Sequence, residues 1–154
     1  MDLISCIFTT LVVVNQLNGS SLSFHTLCLS STNICRYNSK KYRYFYAITS
    51  DVDDVLSAGQ VYKVDTWTGE VLNHAEGQLY CAEPIFVPSP DAIDEDDGVL
   101  VTSAIRGAPE VNYAALLVLD AKNMKELARA EFNLGGPAPK PLHGFFTGNN
   151  KFAR

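Results

Sequence analysis

An all-β fold is what the sequence predicts, and three observations carry that expectation. Tyr42, Tyr44, Tyr46 and Ile48 alternate with Arg43, Phe45 and Ala47, the period of two that a strand with one buried face requires. Comparable runs rich in Val, Leu, Tyr or Phe recur at residues 60–64, 84–87, 99–104, 113–119 and 126–132, set apart by Gly, Pro, Asp or Asn. A weak internal repeat is the third. Val61-Tyr-Lys-Val-Asp65, a turn and a Glu-led run at Glu70 share their layout with Leu116-Leu-Val-Leu-Asp120, a turn and Glu126. The two aspartates stand 55 positions apart, close to the period of a propeller blade built from four short strands. Residues 36–154 would supply about two and a half such blades, whereas a closed propeller needs at least about four.

The chain divides near Arg36. Residues 1–35 carry one charged side chain, Asp2, and the next eight bring Arg36, Lys40, Lys41 and Arg43. The first segment, rich in Ser, Thr, Asn and Leu, has neither helical nor strand periodicity and is expected to be a poorly ordered leader. Its apolar stretch, residues 3–14, is broken by Ser5, Thr9 and Thr10 and falls short of the roughly 20 residues needed to span a bilayer. The length suits a signal-peptide core, but Asp2 stands where a basic region belongs and no small-x-small cleavage site follows. Secretion is therefore not expected, and Asn18-Gly19-Ser20 would be a glycosylation acceptor only if it occurred. Cys6, Cys28 and Cys35 form no C-x-x-C pair and have no histidine at zinc-finger spacing.

From Arg36 onward the strands follow in the order given, and only residues 121–127 could form a helical turn, which a tight connection explains as well. A chain of 154 residues with 47% hydrophobic content reads as one globular domain or a piece of one. Twelve Lys and Arg against seventeen Asp and Glu give a net charge of −5, with no basic cluster able to follow a nucleic-acid backbone. Asp91, Asp94, Glu95, Asp96 and Asp97 lack the alternating ligand pattern and closing Glu of a calcium loop; a solvated acidic loop is the expectation. No G-x-S-x-G elbow and no glycine-rich phosphate loop occurs, so nothing points to a serine hydrolase or a nucleotide-binding protein.

Three histidines remain: His25 in the leader, His74 after the Trp67 turn, and His143 in Pro141-Leu-His-Gly-Phe-Phe146. Pro137, Pro139 and Pro141 stiffen the approach to His143 and Gly144 allows a sharp turn beside it, which would hold a ligand rigidly. The same residues also describe a histidine merely packed in a Pro-rich loop. Glu83, at the start of the apolar strand Pro84-Ile-Phe-Val87, is costly to bury without a partner. It is either a surface residue at a strand end or an acceptor for the N–H of a metal-bound imidazole.

Taken together, Lys41-Tyr-Arg-Tyr-Phe-Tyr46, Glu83-Pro-Ile-Phe-Val-Pro88, Glu95-Asp-Asp-Gly-Val-Leu100, Leu117-Val-Leu-Asp-Ala121, Glu126-Leu-Ala-Arg-Ala130 and His143-Gly-Phe-Phe146 closely resemble one family. It is the carotenoid cleavage oxygenases, in particular the animal β-carotene oxygenase and retinoid isomerase branch, and the resemblance runs in order from about Asn38 to Phe146. It implies the C-terminal blades of a seven-bladed β-propeller with a non-haem Fe(II) on its axis, held by four histidines. By this resemblance His143 is the last of the four, and Glu83 is a glutamate that hydrogen-bonds an iron-bound imidazole. The implied reaction is O₂-dependent cleavage of a polyene double bond in a carotenoid or apocarotenoid, giving two carbonyl products. His25 and His74 lie in contexts unlike the family's other ligand motifs, Leu142 replaces an aromatic residue, and residues 1–35 match nothing in the family. The expectation is a C-terminal fragment, inactive by itself, that is cytoplasmic with peripheral membrane contact. Two alternatives stand beside it: a short non-catalytic β-rich protein that binds an apolar ligand or partner, and a retinoid isomerase with the same iron site.

Overall fold

Alternating apolar residues become strands only when neighbours take up their backbone groups, and here every pairing is antiparallel. The computed structural model describes residues 41–48, 58–139, Gly144 and Phe146, with the backbone of three short strands before them. Those three are β1 (Gln16–Leu17), β2 (Ser20–Ser21) and β3 (Cys28–Ser30). The rest are β4 (Tyr44–Ile48), β5 (Val61–Asp65), β6 (Val71–His74), β7 (Leu79–Cys81), β8 (Ile85–Pro88), β9 (Gly98–Arg106), β10 (Tyr113–Asp120) and β11 (Glu126–Asn133). Among the described residues there is no helix, and residues 121–124 form a tight turn.

Two sheets make up the body, one ordered β3-β4-β5-β6 and the other β11-β10-β9-β7, with β8 also on β9. β1 and β2 pair separately. The pairing of Cys28–Ser30 with Tyr46–Ile48 crosses the change of composition at Arg36. Buried Tyr46, Ile48 and Val61 from the first sheet join Leu79, Cys81, Phe86, Leu100, Leu117 and Leu119 from the second in one apolar core. Tyr46 stacks on Phe86 with ring centroids 5.9 Å apart, and its hydroxyl donates to the Ala121 carbonyl at 3.1 Å. Burial pushes the Tyr46 phenol far above its usual pKa.

The alternation holds in β5, where Val61, Lys63 and Asp65 are buried, and in β10, where Ala115, Leu117 and Leu119 are. It fails at the end of β4: Tyr46, Ala47 and Ile48 are buried consecutively, so both faces of this central strand are covered there. The strands β6 and β7 are four and three residues long, too short for a two-residue period to stand out.

The 55-residue repeat is a repeated turn. Asp65 Oδ1 accepts the amides of Trp67 and Thr68 at 2.9 and 3.3 Å, and Asp120 Oδ1 accepts those of Lys122 and Asn123 at 2.7 and 3.3 Å. The Gly69 and Met124 amides each donate to the carbonyl of the leading aspartate at 2.8 Å. Both of these residues are left-handed, with φ of 76° and 63°. Glycine takes that region freely, whereas methionine is strained there. Met124 is held by burial in the core.

The acidic loop departs from expectation. Asp91 and Asp94 are exposed, but Glu95 accepts the amides of Arg43 and Tyr44 at 2.8–3.0 Å, capping the start of β4. Asp96 is buried and receives Lys63 Nζ at 2.5 Å, while the same ammonium donates to the Lys122 carbonyl at 2.9 Å. Asp97 accepts from the Ile93 amide, and Lys122 Nζ lies 3.3 Å from it; both hold its carboxyl below the usual range. Composition alone suggests solvation, but donors of β4 and β5 recruit Glu95 and Asp96, and the loop's own Ile93 amide and Lys122 hold Asp97.

Candidate functional site

β7 and β8 lie along the same edge of β9 with a break at residues 82–84. Pro84 has no amide proton to give to the ladder, so pairing cannot run through. The chain is held across the break by the Ala82 amide, which donates to the Ser103 carbonyl at 2.8 Å, and by the buried Thr102 hydroxyl, which donates to the Ala82 carbonyl at 2.8 Å. Half-buried Glu83 therefore sits on a fixed bend. A bend of this kind re-aims a side chain out of the regular alternation.

Gly144 comes back to this place. A Cβ added to it would lie 2.9 Å from Ile85 Cδ1, so the backbone next to His143 rests on β8 two residues beyond Glu83. His143 itself lies outside the described residues, as does His25. Of the pair expected from sequence, the structure places Glu83 and the immediate neighbour of His143.

A second constellation was not expected. His74 ends β6, Glu76 lies in the connection to β7, and Glu126 opens β11, with one potential ligand atom from each within 4.8 Å of the others. Arg129 lies against both carboxylates: Nε and Nη2 donate to Glu126 at 2.7 and 2.6 Å, and Nη1 and Nη2 donate to Glu76. Arg106 adds a bond to Glu76 at 3.0 Å and another to Glu110 at 2.5 Å, and its guanidinium lies over the Tyr113 ring. Beside Arg129, both Glu76 and Glu126 are held below the usual carboxylate range, and Arg129 is held above its own. His74 Nε2 is shut off from solvent with no hydrogen-bond partner, 3.9 Å from Glu126 Oε2. The signal available in sequence was His74-x-Glu76: residues two apart on an extended chain point the same way.

His74, the one imidazole among the described residues, faces two carboxylates already bound by a guanidinium, a donor set of different charge and chemistry from four imidazoles, so this cluster is not the iron site that the resemblance implies.

The model of the retinal pigment epithelial membrane protein family matches residues 17–148. The chain belongs to this carotenoid oxygenase family. Carotenoid isomerooxygenase of Drosophila melanogaster is 52% identical over 114 residues, covering 74% of this chain and 18% of that protein. The β,β-carotene 15,15'-dioxygenase of Gallus gallus is 42% identical over 114 residues, 74% of this chain and 21% of the relative. The chain thus spans about a fifth of the length of the curated relatives it matches. An ACO/RPE65 chimera superposes with a TM-score of 0.57 at 28% identity, over 71% of this chain and 23% of that one. Cobalt-substituted Synechocystis ACO gives 0.54 at 25% identity, over 66% and 22%. The two antiparallel sheets are accordingly carotenoid-oxygenase propeller structure, and the all-β expectation holds. Among the described residues no helix is long and apolar enough to cross a membrane.

Proposed function

We propose that residues 36–154 are the C-terminal propeller portion of an iron(II)-dependent carotenoid cleavage oxygenase, to which His143 contributes a metal ligand. Glu83 is the carboxylate that accepts the second N–H of a metal-bound imidazole, which fixes the tautomer and strengthens the ligand. The observation that carries this reading is the packing of Gly144 on Ile85. Ile85 is two residues beyond Glu83, about 6–7 Å along the strand, so the contact at Gly144 supports pairing its neighbour His143 with Glu83. Thr102 and Ser103 hold the backbone of that bend through Ala82, the residue before Glu83. The substrate class is a carotenoid or apocarotenoid cleaved with O₂ into two carbonyl products. One imidazole of four cannot retain iron, so the 154-residue chain alone is expected to show no turnover.

The test is to isolate from source tissue the polypeptide that carries residues 110–139 and to measure its mass, iron content and conversion of β-carotene. Iron retention lost in His143→Ala, and retained but weakened in Glu83→Gln, is the expected result. A His143→Ala protein with undiminished iron, or a 154-residue chain that cleaves β-carotene by itself, would overturn the reading.

A further inference from the structure

The His74 constellation has no place in that reading, and its geometry asks for an occupant. Glu76, Glu110, Glu126 and Glu131 share Arg106 and Arg129 between them, so the ion-paired network carries two more negative than positive charges. Next to this surplus stands a solvent-excluded imidazole nitrogen with no partner, although a buried acceptor or donor left unmade is among the costlier features of a fold. The missing partner must lie on the Glu126 side of the ring, where Nε2 comes within 3.9 Å of a carboxylate oxygen.

We propose that His74, Glu76 and Glu126 form a site for one divalent first-row transition-metal ion, which enters as the Arg129 guanidinium withdraws. Ligand bonds of about 2.0–2.2 Å place tetrahedral donors roughly 3.4 Å apart, against the span of up to 4.8 Å set by the guanidinium between them. Closing that gap takes a rotamer change in two glutamates near solvent, one in the connection after β6 and one at the start of β11. One imidazole and two carboxylates suit Zn²⁺, Co²⁺ or Mn²⁺. The ion would satisfy Nε2, offset two of the three negative charges left in surplus once Arg129 withdraws, and tie the two sheets together. Because Arg129 competes with the metal for the same oxygens, affinity is set by the difference between the two, so removing the arginine strengthens the site even though it breaks existing ion pairs.

Titration of the full-length protein with Co²⁺, followed by visible absorption and displaced with Zn²⁺, tests this. One Co²⁺ per chain should be lost in His74→Leu and bound about tenfold or more tightly in Arg129→Met. X-ray absorption of the Co²⁺-loaded wild-type protein, which requires no variant to fold, should show mixed imidazole and carboxylate ligation from this site. The proposal fails if His74→Leu binds Co²⁺ with unchanged stoichiometry and affinity. It fails equally if Arg129→Met binds more weakly, or if the bound ion has only imidazole or thiolate ligands. It does not rest on His143, whose loss should leave this equivalent of Co²⁺ in place.

Discussion

Neutralising Asp96 should cost this fold far more than a charge in a hydrated loop would. Lys63 and Asp96 retain 6% and 12% of their side-chain exposure, and their charged atoms are 2.5 Å apart. The ammonium also donates to the Lys122 carbonyl and lies 4.2 Å from the centre of the Tyr44 ring. Asp96→Asn keeps the shape but leaves a buried ammonium with a neutral amide and a carbonyl. Removing one partner of a buried pair costs about 3–5 kcal/mol; the carbonyl and ring that remain argue for the lower end, about 3 kcal/mol. For a chain of this size that is a loss of roughly 6–12 °C in Tm. Lys63→Met should cost a similar amount by stranding Asp96, whereas the double variant Lys63→Met/Asp96→Leu should lie within about 1 kcal/mol of wild type, because no charge is left to desolvate. Urea unfolding of wild type, Lys63→Met, Asp96→Leu and the double variant closes the cycle, with Asp96→Asn measured beside them. Single-variant losses below about 1 kcal/mol, the range of a surface pair, would refute the argument that this loop is an anchor of the core.

Gly98→Ala should destabilise by about 1–3 kcal/mol or more, since its Cβ would lie 2.4 Å from the Val87 carbonyl oxygen and 2.8 Å from the Phe86 ring; a thermal melt equal to wild type would contradict this. Met124→Gly removes left-handed strain of about 1 kcal/mol but also a buried side chain worth about 2–3 kcal/mol, so a net loss of about 1–2 kcal/mol is expected by denaturant titration, and a gain in stability would show that the strain dominates. The Arg43 guanidinium, which donates to Asp65 Oδ2 at 2.7 and 3.0 Å, holds the Asp65 carboxyl well below the usual range. A carboxyl lowered by folding contributes stability above its unfolded value near pH 4, and that contribution is lost as the pH falls through the folded value. Asp65→Asn should therefore flatten the acid side of the stability profile below about pH 5; an unchanged profile would exclude the pair as a source of acid sensitivity.

Long strands with regular alternation, β5, β9 and β10, were legible in the sequence because one face meets the core and the other does not. β7 was not, since three residues carry no period. The break at residues 82–84 could be read from Pro84, but not the Thr102 hydroxyl that bridges it, because that bond joins positions 20 apart in sequence. Glu95 and Asp96 misled composition for the same reason: their partners Arg43, Tyr44 and Lys63 lie 33–52 residues away. The motif around Glu83 stood out by resemblance, whereas the His74 cluster, assembled from three separate strand ends and loops, left only the His-x-Glu spacing.

The paired aspartate turns bear on the order in which the molecule gains structure. Each closes a hairpin from residues next to one another along the chain, β5 with β6 and β10 with β11, and local hairpins form on the microsecond scale. Docking of the acidic loop on β4 and β5 spans 33–52 residues and bears a larger loop-closure entropy. The two hairpins are therefore expected to precede their joining, with the Lys63–Asp96 bond as a late latch whose loss should speed unfolding far more than it slows folding.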